Sequence, residues 1–128
     1  MDQQEIIRIL IADDHATVRE GLTALLNPRH HLEVIAEAAD GLEAVELYRR
    51  YRPDITLMDM RMPRMDGVTA IRAIVSEFPA ARIIMLTAFD GEEENARQAG
   101  AKGFVLKEAS REELLKTIRD VHCAALAA

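Results

Sequence analysis

The sequence has little of several residue types that define whole classes of protein. Its single cysteine, Cys123, excludes an internal disulfide framework and a cysteine-based zinc site, and is typical of a reducing compartment. Tryptophan is absent, and there are only three phenylalanines and two tyrosines. The hydrophobic core must therefore be built mainly from aliphatic side chains.

The sequence also lacks the marks of a secreted, membrane-bound or nucleic-acid-binding segment. The N-terminus has no basic start typical of a secretory signal, and the longest wholly apolar run, 123–128, is far too short to span a bilayer. Sixteen basic residues against 22 acidic ones give a net charge of −6, which argues against direct binding of nucleic acid. We therefore expect a cytoplasmic segment that binds neither membrane nor nucleic acid.

Five short runs of β-forming residues alternate with patterns of helical periodicity. Strands are predicted over 6–12, 32–38, 55–58, 83–87 and 103–106. A chain of 128 residues suits one domain, and this alternation predicts a single doubly wound (βα)₅ parallel sheet of the α/β class. The second run alternates in part with acidic residues, as an edge strand does, and the fourth helix, near 92–99, has only two alanines for the core.

Helix boundaries are indicated by capping residues. Asp40 and Ser110 each precede a glutamate by three residues, which is typical of a helix N-terminus. Asp66 is predicted to cap the third helix, and Gly100 to end the fourth helix in a left-handed conformation.

Polar side chains follow four of the five predicted strands. Asp13 and Asp14 follow the first strand and Asp59 the third, while Thr87 ends the fourth strand and Lys107 follows the fifth. Because the carboxyl ends of parallel strands lie at one edge of the sheet, we expect these five side chains to converge on one pocket.

The chemistry of that pocket follows from its charge. Three close carboxylates repel one another, and either protonation or a bound hard cation would relieve this. Mg²⁺ prefers a few carboxylates and phosphate oxygens, so the pocket suits Mg²⁺ and a phosphoryl group. A carboxylate can itself be the nucleophile in phosphoryl transfer, and Asp59 is the best candidate because it ends a central, buried strand. The adjacent Asp13 and Asp14 suit metal binding better.

These residues together resemble the receiver domain of two-component response regulators. The resemblance covers nearly the whole chain and is carried by the strings ILIADDH at 9–15, DITLMDMRMPRMDG at 54–67, IMLTA at 84–88 and GAKGFVLK at 100–107. The start of the chain has Asp-Asp-His at 13–15 followed by VREGL at 18–22. It resembles the subfamily whose receiver domains precede a LuxR-type (NarL/FixJ-like) DNA-binding domain.

The resemblance implies a flavodoxin-like sheet with strand order 2-1-3-4-5 and a specific set of roles. Asp59 would be the phosphoacceptor and would bind Mg²⁺ directly together with Asp14. Asp13 would bind the ion largely through water, and the main-chain carbonyl of Arg61 would complete the protein ligands. Lys107 would pair with the phosphoryl oxygens.

The resemblance also implies a switch and its partners. Thr87 would turn inward to the phosphoryl group, and Phe104 stands at the position of the family's switch aromatic, although it has no hydroxyl group. Glu108 departs from the family, where many members have a proline, so no cis-proline turn is expected. The implied partners are a sensor histidine kinase, a DNA-binding effector domain in the full-length protein, and a second copy of the chain, since phosphorylation can drive homodimerisation.

Several boundaries and alternatives accompany this interpretation. We expect a receiver domain over 1–122, with 123–128 as a tail or the start of a linker.

A phosphatase of the aspartyl-phosphate type would place an acid two residues after its nucleophile, where this chain has Arg61. A nucleotide-binding protein would need a glycine-rich phosphate loop, which does not follow the first strand. A receiver-like module that only docks partners remains an alternative. His15 could be a metal ligand, but we favour a solvent-facing loop residue. We expect a phosphoacceptor switch rather than an enzyme.

Overall fold

The computed structural model describes residues 6–26, 31–88 and 90–127. Within these ranges, strands and helices alternate along the chain. The strands are β1 (Ile7–Ala12), β2 (Leu32–Ala38), β3 (Ile55–Asp59), β4 (Ile83–Thr87) and β5 (Gly103–Leu106). The helices are α1 (Ala16–Leu26), α2 (Gly41–Tyr51), α3 (Gly67–Glu77), α4 (Glu93–Ala99) and α5 (Arg111–Ala127).

The five strands form one parallel sheet in the order β2-β1-β3-β4-β5, which confirms the predicted order. The central strands β3 and β4 are buried along their whole length, as expected for strands that are covered by helices on both faces. Strand β2 lies at the edge and exposes Glu33 and Glu37. The carboxyl ends of all five strands therefore share one edge of the domain.

Two aliphatic cores flank the sheet, because alternate side chains of each strand point to opposite faces. One core contains Leu10, Met58 and Met85, which pack with buried residues of α2, α3 and α4. The other contains Ile11 and Leu57, which pack with buried residues of α1 and α5. Among the described aromatic residues, only Tyr48 is one of the buried residues of these cores, so both cores are mainly aliphatic, as predicted.

The predicted helix caps are confirmed. The backbone N–H of Glu43 donates to Asp40 Oδ1 at 2.8 Å, and that of Thr69 donates to Asp66 Oδ1 at 2.8 Å. The N–H of Glu113 donates to the Ser110 hydroxyl at 3.1 Å, and Gly100 ends α4 with φ +116°. Each cap satisfies backbone groups that a helix end leaves without an intrahelical partner.

Some boundaries differ from the sequence-based prediction by one residue. Strand β1 begins at Ile7 rather than Ile6, and β3 includes Asp59. Helix α4 has seven residues and buries only Ala96 and Ala99, as its sequence indicated. Helix α5 continues to Ala127, so the segment predicted as a tail or linker starts as helix. None of the helices in the described ranges combines the length and hydrophobicity needed to cross a membrane.

Candidate functional site

The five predicted site residues lie at the carboxyl edge of the sheet. Asp13 and Asp14 directly follow β1, Asp59 and Thr87 are the last residues of β3 and β4, and Lys107 directly follows β5. Asp13, Asp59 and Thr87 are 1%, 6% and 1% exposed, which is unusual for such polar residues. The structure thus brings together what the sequence separates by up to 94 positions.

Lys107 lies between two buried carboxylates. Its Nζ is 2.6 Å from Asp13 Oδ2 and 3.4 Å from Asp59 Oδ1. Its backbone N–H donates to the carbonyl of Thr87 at 2.7 Å, which ties the end of β5 to the end of β4. The ammonium therefore lies closer to Asp13 than to Asp59.

The electrostatics of the pocket follow from burial and from this arrangement of charges. Burial raises the pKa of the Asp59 carboxyl, the charge of Asp13 adds to that effect, and Lys107 opposes it. Burial acts to lower the pKa of the Lys107 ammonium, but the carboxylates of Asp13 and Asp59 outweigh it, so the pKa is raised. Lys107 is therefore charged at neutral pH, and the ionised form of Asp59 costs folding free energy.

The acidic residues can share one cation. One ligand atom each from Asp13, Asp14, Asp59 and His15 lies within 4.8 Å of the others. Oxygen donors at this spacing, two of them on buried carboxylates, fit the ligand preference of Mg²⁺. His15 Nδ1 lies 3.2 Å from an oxygen of Asp13 and of Asp14, but its side chain is 64% exposed, as predicted for a solvent-facing loop residue.

The loop between β3 and α3 folds closely against the end of β3. The backbone N–H of Gly67 donates to the carbonyl of Met60 at 2.8 Å. A Cβ atom at Gly67 would lie 2.0 Å from the main-chain oxygen of Asp59, which is far inside van der Waals contact. Glycine at 67 therefore fixes how this loop, which contains Arg61, returns past the candidate phosphoacceptor.

We expect Gly67→Ala to lower the free energy of unfolding by about 2 kcal/mol, because backbone atoms next to Asp59 must move to admit the methyl group. Gly21→Ala is the matched control: it lies inside α1, nothing lies within 4 Å of its added Cβ, and it should raise stability by roughly 0.5–1 kcal/mol. Urea unfolding followed by circular dichroism measures both. Equal effects of the two substitutions would contradict the close approach.

The predicted switch residues lie on one face of the sheet. Thr87 follows Leu86 and so points to the same side as Met85, which pairs in register with Phe104 on β5. Phe104 is partly buried and lines a cavity of about 100 Å³ between α4 and β5. Beyond Lys107 the chain turns at Glu108, where the N–H of Ala109 donates to the carbonyl of Leu106 at 2.9 Å.

Sequence reasoning missed two arginines that support the pocket. The Arg19 guanidinium on α1 donates to the main-chain carbonyl of Asp13 at 2.6 Å and to Glu37 at 3.0 Å. Arg64 has an exposed side chain but forms an ion pair with Asp40. The Arg19–Glu37 and Arg64–Asp40 pairs join residues 18 and 24 positions apart, so no local sequence pattern reveals them.

The fold and the site define a class: an α/β domain with an acidic cluster and a paired lysine at the carboxyl edge of its parallel sheet. The family described as "Response regulator receiver domain" matches residues 9–119. The chain belongs to the response regulator receiver domain family, whose members act as phosphoacceptor switches in signalling.

Individual relatives agree with this assignment. The chain is 46% identical over 118 residues to the uncharacterized transcriptional regulatory protein YhcZ of Bacillus subtilis (strain 168), and 45% identical over 119 residues to the oxygen regulatory protein NreC of Staphylococcus aureus (strain JH9). Each match covers 91% of this chain but 55% of the relative, so the chain spans about half the length of these proteins.

Solved structures show the same fold. The signal receiver domain of the putative response regulator NarL from Mycobacterium tuberculosis superimposes with a TM-score of 0.86 at 36% identity, covering 93% of this chain and 98% of that one. A LuxR-family two-component response regulator from Aurantimonas sp. SI85-9A1 has a TM-score of 0.89 at 39% identity, with 94% and 87% covered.

Proposed function

We propose that this chain is a phosphoacceptor switch in which Asp59 accepts a phosphoryl group from a phosphohistidine of a sensor kinase, or from a small phosphodonor, in a Mg²⁺-dependent reaction. The observation that carries the proposal is the position of Asp59. It is buried at the end of β3, its carboxylate lies within 4.8 Å of the other acidic ligands, and Lys107 Nζ is 3.4 Å away. Each chain would accept one phosphoryl group on itself and would not turn over many donor molecules as an enzyme does.

The metal ligands in this proposal are Asp14 and Asp59 directly, Asp13 through water, and the main-chain carbonyl of Arg61. When bound, Mg²⁺ supplies positive charge to the transferring phosphoryl oxygens. The need for that charge is plain from the pocket itself, because three carboxylates oppose one ammonium and an incoming phosphodonor is also anionic.

In the transfer step, a carboxylate oxygen of Asp59 attacks the phosphorus atom of the donor. The new bond is an O–P bond to Asp59, and the bond that breaks is the P–N bond of a phosphohistidine or the P–O bond of an acyl phosphate, whose electron pair stays with the leaving group. The product is an acyl phosphate, a mixed anhydride that carries more negative charge than the carboxylate it replaces, so Lys107 and a bound cation must balance the added charge.

The switch follows from where the new charge must go. The phosphoryl group carries roughly two negative charges. Lys107 would move from Asp13 toward the phosphoryl oxygens, and the Thr87 hydroxyl would donate to them. Inward movement of the Thr87 loop would let Phe104 turn into the space that the loop leaves, which alters the face formed by α4, β5 and α5. The change is a shift between two conformations that the domain already samples.

The rest of the proposal concerns the longer protein. This chain spans about half the length of these relatives, whose names describe transcriptional and oxygen regulation. We propose a receiver domain over 1–122, with 123–128 leading toward a LuxR-type DNA-binding domain that carries the output. A sensor histidine kinase would be the upstream partner, phosphorylation would promote homodimerisation, and the location would be cytoplasmic.

Incubation with Mg²⁺ and acetyl phosphate tests the proposed reaction. We expect intact-mass spectrometry to show one added phosphoryl group per chain, located on the peptide that contains Asp59. Chelation of the metal with EDTA should prevent the modification. Continuous release of phosphate from many donor molecules per chain would favour the phosphatase alternative, and complete inertness would favour a module that only docks partners.

A further inference from the structure

The β3–α3 loop is held against the N-terminus of α2 by an ion pair across two loops. Arg64 Nε lies 3.0 Å and Arg64 Nη2 lies 2.9 Å from the same oxygen, Asp40 Oδ2. The Asp40 side chain is 12% exposed, so this carboxylate is largely withdrawn from water, whereas the Arg64 side chain is 62% exposed. A mostly buried acceptor makes this pair stronger than an ordinary surface ion pair.

The other oxygen of Asp40 is already used by the helix. Asp40 Oδ1 accepts from the N–H of Glu43 at 2.8 Å. The N–H of Glu43 is the main reason that the pKa of Asp40 lies below its usual value, and Arg64 adds to this against the effect of burial. Asp40 is therefore a charged group that joins the start of α2 to the β3–α3 loop.

Main-chain contacts continue the same attachment. The N–H of Gly41 donates to the carbonyl of Met65 at 2.9 Å. A Cβ at Gly41 would lie 2.2 Å from that oxygen, so the loop and the helix end are in direct backbone contact. Arg64 itself has φ +67°, a left-handed conformation that costs an arginine free energy unless the surroundings compensate for it.

The contact between the β3–α3 loop and α2 affects the pocket because this loop contains a proposed metal ligand, the Arg61 carbonyl. The loop begins directly after Asp59, includes the Arg61 carbonyl and ends at Gly67, which lies against the main-chain oxygen of Asp59. A carbonyl ligand on a loop contributes more to metal affinity when the loop is already fixed, because binding then pays less to order it. Arg64 follows Arg61 by three residues and is anchored outside the loop, at a residue that the pocket does not use.

We propose that the Asp40–Arg64 ion pair positions the β3–α3 loop for metal binding, so that Arg64 sets the Mg²⁺ affinity of the pocket without touching the ion. This inference rests on the proposed function, because it takes the Arg61 carbonyl as a metal ligand. Arg64 is a positioning residue and has no part in the transfer of the phosphoryl group.

The test compares variants that remove the ion pair with as little other change as the chain allows. Arg64→Asn removes the guanidinium but retains a residue that tolerates the left-handed conformation. Asp40→Asn removes the charge and keeps an oxygen that can accept from Glu43 at the helix end. Glu77→Gln is the matched control, since it breaks an exposed Arg49–Glu77 ion pair that joins α2 to α3 away from the loop.

Isothermal titration with Mg²⁺ alone gives the affinity, and initial rates with acetyl phosphate give the dependence on Mg²⁺. We expect Arg64→Asn and Asp40→Asn each to weaken Mg²⁺ binding about tenfold, near the lower end for groups that orient metal ligands. The rate at saturating Mg²⁺ should stay within about twofold of wild type, as for a change confined to binding. Glu77→Gln should leave both quantities unchanged, and Arg64→Lys should restore part of the affinity.

The double variant Asp40→Asn/Arg64→Asn should bind Mg²⁺ as weakly as either single variant, because both remove one interaction. Unchanged Mg²⁺ affinity in the folded single variants would overturn the inference, while phosphorylation of their Asp59 would leave the proposed function standing. Failure of the wild-type chain to accept a phosphoryl group at all would instead contradict the proposed function. Thermal unfolding of each variant establishes that the comparison is made between folded proteins.

Discussion

Replacing Lys107 with methionine is expected to lower the free energy of unfolding by about 2 kcal/mol in metal-free buffer, and to slow phosphorylation by acetyl phosphate about a hundredfold. The stability loss arises because Asp13 and Asp59 would remain buried with no ammonium between them. We place it below the range for a fully buried pair because the Lys107 side chain is 23% exposed. The slower transfer arises because a donor to the phosphoryl oxygens is removed.

Urea unfolding measures the loss of stability, and the initial rate of phosphorylation by acetyl phosphate measures the loss of transfer. Urea unfolding with and without Mg²⁺ should show that the ion restores part of the lost stability, because it supplies the missing positive charge. Lys102→Met is the matched control: this lysine precedes the same strand, and its Nζ donates to the carbonyl of Ala81 at 3.0 Å rather than to a pocket carboxylate. Equal losses of phosphorylation in the two variants would contradict the assigned role of Lys107.

The pH dependence of this contribution has a definite sign. The pKa of Lys107 is raised in the folded protein, so its stabilising effect is fully present below the usual lysine pKa. It is lost as the pH rises through the raised value. At neutral pH the difference between wild type and Lys107→Met should therefore be at its full size.

Asp59→Asn is expected to abolish phosphorylation and, at neutral pH, to raise the free energy of unfolding by about 1 kcal/mol. The gain arises because the amide is neutral and removes the cost of burying an ionised carboxylate beside Asp13. A raised carboxyl pKa means that wild-type stability falls as the pH rises from the usual aspartate pKa through the folded value. The advantage of the asparagine variant should consequently disappear as the pH is lowered through that range.

Intact-mass spectrometry after acetyl phosphate treatment and urea unfolding at several pH values test this expectation. Asp66→Asn provides the control, since it neutralises an acid close by on the same loop while asparagine can still cap α3 through its side-chain oxygen. That variant should still accept one phosphoryl group. Phosphorylation of the Asp59→Asn chain at another residue would contradict the assignment of Asp59 as the phosphoacceptor.

Much of the site was predictable because its residues stand next to strands that the local sequence pattern identifies. Asp13, Asp59, Thr87 and Lys107 each stand directly at the carboxyl end of a recognisable strand, and the topology of a parallel sheet then brings them together. The N-terminal helix caps were predictable for the same reason, since each depends on residues three positions apart.

What the sequence could not reveal depends on side-chain geometry across elements. The closer contact of Lys107 with Asp13 than with Asp59 is a difference of 0.8 Å between two acceptors, the 2.6 Å and 3.4 Å separations given above. Arg64 and Asp40 are 24 positions apart, and no periodicity joins them. The need for glycine at 67 arises only when α3 begins against the Asp59 carbonyl.

The cysteine on α5 gives the domain a built-in attachment point for a spectroscopic reporter. Cys123 is an exposed, free thiol twelve residues along the helix from Arg111, which corresponds to about 18 Å of axial rise. As the sequence contains a single thiol, a maleimide dye or a nitroxide would label one defined position with no engineered substitution. Such a probe would follow rearrangement of this helix in real time while leaving every acidic side chain chemically untouched.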